Sequence, residues 1–234
     1  MSQAEKMPLL LSVPHAGLQV PEEVADNCLL TPEEIAADGD VGAAEIYLPL
    51  LEKTEHLLTT KIARAVVDLN RAADDRRKDG IVKTHTCWDV KIWRKPLWEE
   101  TVHLLLEEYY SPYHQKLSEL AHQNVFAGID CHTMAAEGPP VGPDPGVKRP
   151  EACLSNGDGR TCPAEWIGSL AAELRKTLGG EVRINDPFKG GFITRSHGAE
   201  MPWIQLELSR ASFLSNGEKS RAVLQALQNW STHI

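Results

Sequence analysis

Two stretches, Leu9-Leu10-Leu11-Ser12-Val13-Pro14-His15-Ala16-Gly17 and Val125-Phe126-Ala127-Gly128-Ile129-Asp130-Cys131-His132-Thr133, share one pattern. Each is a short apolar run of strand length that ends in polar, chemically able residues. The pattern recurs where Ala65-Val66-Val67 leads into Asp68-Leu69-Asn70-Arg71, and where Ile204-Gln205-Leu206 leads into Glu207-Leu208-Ser209-Arg210. Strands are read over residues 9–13, 57–62, 65–69, 125–129, 192–194 and 204–208. Helix-like stretches lie between them. Residues 41–51 carry Ile46, Leu50 and Leu51, and residues 97–123 have helical spacing that Pro112 should break or kink. Residues 162–178 place Pro163 at the first helical position and present Trp166, Ile167, Leu170, Leu174 and Leu178 on one face. Residues 218–230 read as a closing helix. This alternation predicts an α/β layered fold around a largely parallel sheet, with residues 1–234 as a single domain. The carboxyl ends of parallel strands form the ligand crevice in such sheets. Four strands would then bring His, His, Asn/Arg and Glu to one edge.

Composition narrows the partners. Of 234 residues, 42% are apolar and 24% charged, as in ordinary globular proteins. The net charge of −9 argues against nucleic acid as a partner, while leaving room for a local basic pocket. The apolar run at residues 9–13 is too short for a signal peptide or a membrane span, so no membrane partner is expected. Five cysteines, odd in number and without CxxC spacing, disfavour a disulfide framework and a cysteine-zinc site. A reduced, cytoplasmic protein with free buried thiols is expected. Two irregular stretches stand out: the charged residues 72–83, and residues 137–150 with five prolines and three glycines. Loops of that length often cover a site.

Two neutral imidazoles and a carboxylate form an open coordination shell for catalytic zinc. A carboxylate outside that shell can act as general base and acid. The chain has no HExxH, no GxSxG elbow and no phosphate-binding GxxxxGK[ST] loop. Gly157-Asp158-Gly159-Arg160 is too short a pattern to imply phosphate binding.

An ordered set of blocks resembles the N-formylglutamate amidohydrolase family. It runs from Val13-Pro14-His15-Ala16-Gly17 and Val20-Pro21-Glu22-Glu23 through Asp38-Gly39-Asp40 with Ile46-Tyr47, then Val66-Val67-Asp68-Leu69-Asn70-Arg71 and Pro112-Tyr113-His114. It continues with Asp130-Cys131-His132-Thr133, Gly157-Asp158-Gly159, Asn185, Phe188-Lys189-Gly190-Gly191-Phe192-Ile193-Thr194-Arg195 and Gln205-Leu206-Glu207-Leu208. The resemblance implies a three-layer αβα sandwich around a mostly parallel, mixed sheet, similar to zinc carboxypeptidases and aspartoacylases. It further implies a zinc-dependent amidohydrolase of histidine degradation, taking a small acidic N-acyl amino acid. N-formyl-L-glutamate, split by water into formate and L-glutamate, is the leading substrate.

By the same resemblance His15 and His132 are metal ligands. Zinc carboxypeptidases carry a glutamate three residues after the first histidine, where this chain has Leu18. The carboxylates at hand are Glu22, Glu23, Asp38, Asp40 and Glu45; Asp40 fits the family's fixed block and is taken as third ligand, its alternative role being to cap the helix near Val41. Asp130 is read either as pointing away from His132 or as an acceptor that orients an imidazole. Glu207, a lone carboxylate in an apolar strand opposite in facing to Leu206 and Leu208, is the general base, the alternative being a salt bridge to Arg210. Arg64 is placed to stabilise an oxyanion. Asn70 with Arg71, then Arg195, Arg160 and His197, are expected to bind substrate. His56, His85, His103, His114, His122 and His233 read as surface or packing residues. Alternatives are an amidase or peptidase on other N-acyl amino acids or cell-wall peptides, and a catalytically silent ligand-binding homologue.

Overall fold

A computed structural model describes residues 6–140, 142, 144–232 and 234. His233, and Val141 and Pro143 of the proline-rich loop, lie outside the described residues. Six strands, β1 Met7–Val13, β2 Thr54–Thr59, β3 Ala127–Met134, β4 Ala152–Ser155, β5 Val182–Ile184 and β6 Trp203–Ser209, form one sheet in the order β2-β1-β3-β6-β4-β5. Strands β2, β1, β3 and β6 are parallel; β4 runs antiparallel to β6 and parallel to β5. The sheet is therefore mixed and mostly parallel, as expected. Helices α1 Glu22–Ala25, α2 Pro32–Asp38, α3 Ala43–Tyr47, α4 Glu99–Leu105, α5 Ser111–Leu120, α6 Ala164–Leu178, α7 Phe192–Ser196 and α8 Asn216–Ser231 complete the fold.

Strand alternation divides the interior into two cores. Leu9, Leu11 and Val13 of β1, Ala127, Ile129 and Cys131 of β3, and Ile204, Leu206 and Leu208 of β6 face α3, α6 and α8. The opposite face carries Leu10 and Trp203 into a second core with α4, α5 and α7. Further along that second face the strands present Ser12, Asp130, His132, Gln205 and Glu207, all buried. Adjacent strands align them: Ser12 lies beside Asp130, Asp130 beside Gln205, and His132 beside Glu207. A polar patch is thus built into the carboxyl half of an otherwise apolar sheet.

Two expected strands are not strands. Residues 65–69 are fully buried but turn: the Ala63 carbonyl accepts the Val66 and Val67 N–H groups at 2.9 and 3.2 Å, and the Asp68 carboxylate then accepts the Asn70 N–H at 3.0 Å. Residues 192–194 begin α7, whose Ile193 N–H is capped from afar by Asn70 Oδ1 at 2.8 Å. Short apolar runs do not distinguish helix from strand. Two strands were not read, since β4 and β5 have only four and three residues. Strand β2 begins three residues before the expected start, and β3 and β6 continue through the polar residues taken as strand ends.

The helix readings survive with local corrections. Residues 41–51 form α3 followed by a 3-10 turn, Leu48–Glu52. In the 97–123 stretch the missing N–H and the ring of Pro112 are absorbed by a wide π turn, Leu106–Tyr110, just before it. Pro163 precedes the first residue of α6 rather than occupying it. Helix α8 opens with a Ser215/Glu218 capping box. All five cysteines are free thiols, three of them buried. Among the described residues no helix is long and apolar enough to cross a membrane.

Candidate active site

His15 follows β1, His132 lies on β3, and Asp40 stands two residues beyond α2. The His132 Nδ1 is 3.2 Å from His15 Nδ1 and 3.0 Å from Asp40 Oδ2; His15 Nδ1 is 3.6 Å from that same oxygen. Donors bonded tetrahedrally to one ion at ~2.0–2.1 Å are separated by about 3.3 Å. The observed triangle has that size, and all three residues are buried. Asp40 does not cap α3: Gly42 holds that position without a side-chain bond, and Asp40 Oδ2 instead accepts the Thr133 N–H at 3.1 Å.

The far nitrogen of each imidazole meets a buried aspartate. His15 Nε2 is 2.8 Å from Asp68 Oδ1, and His132 Nε2 is 3.0 Å from Asp130 Oδ2. A proton on each Nε2 satisfies both contacts and leaves both Nδ1 lone pairs facing the Asp40 carboxylate. Three acceptors aimed at one point call for a positive charge between them. Burial alone would lower the His132 pKa, yet Asp130 and Asp40 hold it well above the ordinary range. Burial would likewise raise Asp40, but His15 and His132 hold it well below. The donor set fits a divalent ion, which would supply that charge. Asp130 thus orients an imidazole, and the expectation that it points away fails because residues two apart on a strand share a face.

Glu207 sits beside His132 in register, 8% exposed, and lines the same cavity. Burial pushes its carboxyl up, against the opposing pull of His132 and with the Asp40 charge adding to the rise. Its Oε1 accepts from Gln205 Nε2 at 2.7 Å, and Gln205 Oε1 in turn accepts the Gly191 N–H. Arg210 does not pair with Glu207. Its guanidinium donates to the Gly39 carbonyl at 2.6 Å and to Thr133 Oγ1 and O at 3.1 Å, and it lies 3.6 Å from Asp40.

The cavity measures about 520 Å³. Arg64 stands in its wall, donating Nε–H to Asp68 Oδ2 at 3.0 Å and lying 3.8 Å from Asp40. Behind it the Lys83 ammonium, 1% exposed, bonds Asp38 at 2.9 Å and lies 3.7 Å from Asp68. Arg71 and Arg195 line the cavity. Arg71 is held by Asp79 at 2.9 and 3.3 Å, and Arg195 by the Gly190 carbonyl at 2.6 Å. Burial, with Arg160 and Arg71 close by, lowers the Arg195 pKa, so its charge lacks full compensation. Asn70 reaches the wall with its amide engaged by protein: Nδ2 faces His132 Nε2 at 3.1 Å and Asp130 at 3.2 Å. A Cβ on Gly191 would run into that amide, so glycine there permits the close approach.

Two expected substrate contacts are not in the cavity wall. Arg160 folds back to donate to the Gly157 carbonyl at 2.6 Å. His197 is buried between His114 and Glu200, at 2.9 and 3.0 Å. The wall also holds residues given no site role above: Gln205, Arg77 and Arg149. Gln205 carried a signal, because it shares the strand face of Glu207. Arg77 and Arg149 come from the two irregular stretches, whose residues do cover the site, but nothing in their local sequence marks them.

Comparison with known proteins bears on this site. The family described as N-formylglutamate amidohydrolase (FGase) matches residues 7–214. An N-formylglutamate deformylase of Pseudomonas putida is 26% identical over 228 residues, covering 91% of this chain and 84% of the relative. One of Pseudomonas aeruginosa is 27% identical over 247 residues, covering 95% and 91%. The crystal structure of N-formylglutamate amidohydrolase from Ralstonia eutropha JMP134 superposes with a TM-score of 0.80 at 20% identity, covering 99% of this chain and 95% of that one. A structure from Agrobacterium tumefaciens follows at 0.75 and 20% identity, covering 97% and 89%.

Proposed function

Because the chain belongs to the N-formylglutamate amidohydrolase family, we propose that it hydrolyses the amide of N-formyl-L-glutamate to formate and L-glutamate. The observation that carries the proposal is the buried triangle of His15, Asp40 and His132 beside the unliganded Glu207, in a cavity edged with arginine. A zinc ion held by His15 Nδ1, Asp40 Oδ2 and His132 Nδ1 would polarise the formyl carbonyl and acidify water.

The chain's own groups do the rest. Glu207 takes a proton from the attacking water, held for that task by Gln205. Water oxygen adds to the formyl carbon, and the Arg64 guanidinium in the wall favours the negative charge that develops on the carbonyl oxygen. Glu207 then delivers its proton to the amide nitrogen as the C–N bond breaks, leaving glutamate with a free amine. Arg71 and Arg195 bind the two carboxylates, which no formyl group by itself would require. Asn70 holds the start of α7 and with it the Gly190-Gly191 turn that carries Arg195. The reaction's place in histidine degradation and a cytoplasmic location belong to the same proposal.

The test is formate release by chelator-treated and zinc-reloaded protein, with N-formyl-L-aspartate, N-acetyl-L-glutamate and a cell-wall-type peptide as rivals. Chelation should abolish turnover, zinc should restore it, and N-formyl-L-glutamate should be preferred. Full activity without metal refutes the metal role; hydrolysis of only the rivals refutes the substrate.

A further inference from the structure

His114, His197 and Glu200 form a polar row outside the cavity, running from an exposed glutamate through the buried His197 to the partly buried His114. The His114 Nε2 lies 3.0 Å from the Leu69 carbonyl, and its Nδ1 lies 2.9 Å from His197 Nε2. The two rings are parallel within 7°. His197 Nδ1 lies 3.0 Å from Glu200 Oε2, whose other oxygen accepts from Ser118 at 2.7 Å. Each contact needs one proton. A carbonyl oxygen only accepts, so His114 carries its proton on Nε2. Burial, reinforced by the charge of His197, drops the His114 pKa to about 4, so Nδ1 stays an acceptor near neutrality. The Nε2–H of His197 must then donate to it, and the remaining proton lies between His197 Nδ1 and Glu200. The row has one consistent direction, from the Glu200 end towards Leu69.

Leu69 sits between the two residues that hold the imidazoles from behind. Asp68 accepts from His15 Nε2, and Asn70 Nδ2 donates to Asp130, the aspartate that accepts from His132 Nε2. The carbonyl gripped by His114 belongs to the peptide joining them. We propose that His114 is a positioning residue for the metal centre: through the Leu69 carbonyl it fixes the Asp68–Asn70 turn, and His197 with Glu200 fixes the tautomer in which it can do so. This rests on the reading of His15, Asp40 and His132 as metal ligands. Groups that orient ligating histidines typically change metal affinity by about 10–100-fold when removed.

The experiment compares zinc affinity, by competition with a chromophoric chelator and without substrate, across wild type, His114→Leu, His114→Gln and His197→Phe. Glutamine can donate to Leu69 and accept from His197, so His114→Gln should remain within about threefold of wild type. His114→Leu should bind zinc about 10–100-fold more weakly, with KM for N-formyl-L-glutamate little changed at saturating zinc. His197→Phe should weaken zinc in the same direction by a smaller factor, and it stands in for His114→Leu if that variant does not fold. Unchanged zinc affinity in the folded leucine or phenylalanine variant overturns the proposal. So does equal weakening by leucine and glutamine, which would mean that the ring's volume matters and its nitrogens do not. A wild type that binds no zinc refutes the metal reading itself. One that binds zinc and leaves N-formyl-L-glutamate intact refutes only the substrate.

Discussion

Glu207→Gln separates catalysis from packing at one position. The two side chains have nearly the same volume, and Gln205 Nε2 can donate to the new carbonyl oxygen as it does to Oε1. A carboxamide cannot take a proton from water. Loss of a positioned general base lowers the rate by roughly 10²–10⁴-fold, or about 3–5 kcal/mol of barrier. Stability should move the other way. Burial holds the Glu207 carboxyl above its ordinary range, so the folded state binds this proton more tightly than the unfolded chain. Its contribution is therefore present at low pH and is lost as pH rises through the raised pKa. At neutral pH the charged form strains the fold, and glutamine removes that strain. The variant should show kcat reduced by at least 100-fold, unchanged zinc content, and, compared zinc-free, a Tm equal to or above wild type. Zinc-free protein is used because a bound cation would favour the carboxylate. Steady-state formate release, elemental analysis and thermal melts read the three quantities. A loss of less than tenfold in kcat at full zinc occupancy removes Glu207 as the base, and a lowered Tm refutes the burial argument.

Asp68→Asn should weaken zinc by about 10–100-fold, because Asp68 anchors His15 Nε2 and also accepts from Arg64; unchanged affinity by chelator competition would sink that role. Lys83→Met should destabilise the fold by about 3–5 kcal/mol in denaturant titrations, since it strands the Asp38 carboxylate, itself 0% exposed, without its cation. A loss under 1 kcal/mol would mean that Asp38 is satisfied by its other partners. Arg71→Lys should raise KM for N-formyl-L-glutamate by roughly 10–100-fold with little change in kcat, as expected when a charge-assisted contact of about 1.5–3 kcal/mol made equally in ground and transition states is lost; a pure kcat effect would contradict the clamp. The His114 ring should stay neutral in NMR titrations down to about pH 4. Its folded pKa is depressed, so its contribution to stability is present above the unfolded value of about 6.5 and is lost as pH falls from there through 4. A midpoint near the unfolded value would show that the His114 pocket is open to water.

What the sequence made legible follows from how each feature is encoded. Long amphipathic segments such as α6 and α8 repeat their signal over three or four turns, so both were readable to within two residues. The polar residues on β3 and β6 were readable because charge inside an apolar strand is conspicuous. Residues 65–69 misled because an apolar run says that a segment is buried and says nothing of its path. The bends are set by backbone bonds to the Ala63 carbonyl and by the Asp68 carboxylate bonding two residues onward. Gln205 and Asp130 needed only the period-two rule applied to their neighbours. Arg160 and His197 were the opposite case. Both have the right chemistry for substrate; Arg160 is turned aside by the Gly157 carbonyl three residues back, and His197 by Glu200 three residues on and by His114 from a distant helix.

The strand order explains why the two imidazoles come from positions 117 residues apart. From β1 the chain passes to β2 on one side, then crosses to β3 on the other. Connections leaving in opposite directions open a crevice at the carboxyl ends of β1 and β3, the place where α/β sheets receive ligands. His15 leaves β1 at that crevice, and His132 stands in the carboxyl half of β3. Asp40 enters from above, after α2, and its backbone N–H bonds the His15 carbonyl at 3.1 Å, tying the third donor to the first. Glu207 arrives on β6, the next strand outward, one step from the crevice, so it neighbours the His15, Asp40 and His132 triangle without joining it. Beyond β6 the sheet reverses, and antiparallel β4 sets Cys153 beside Glu207. That thiol is buried and its pKa is raised by burial, so it closes the far side of the base with a neutral group. The topology thus places the His15, Asp40 and His132 triangle at the crevice and the Glu207 carboxylate beside it.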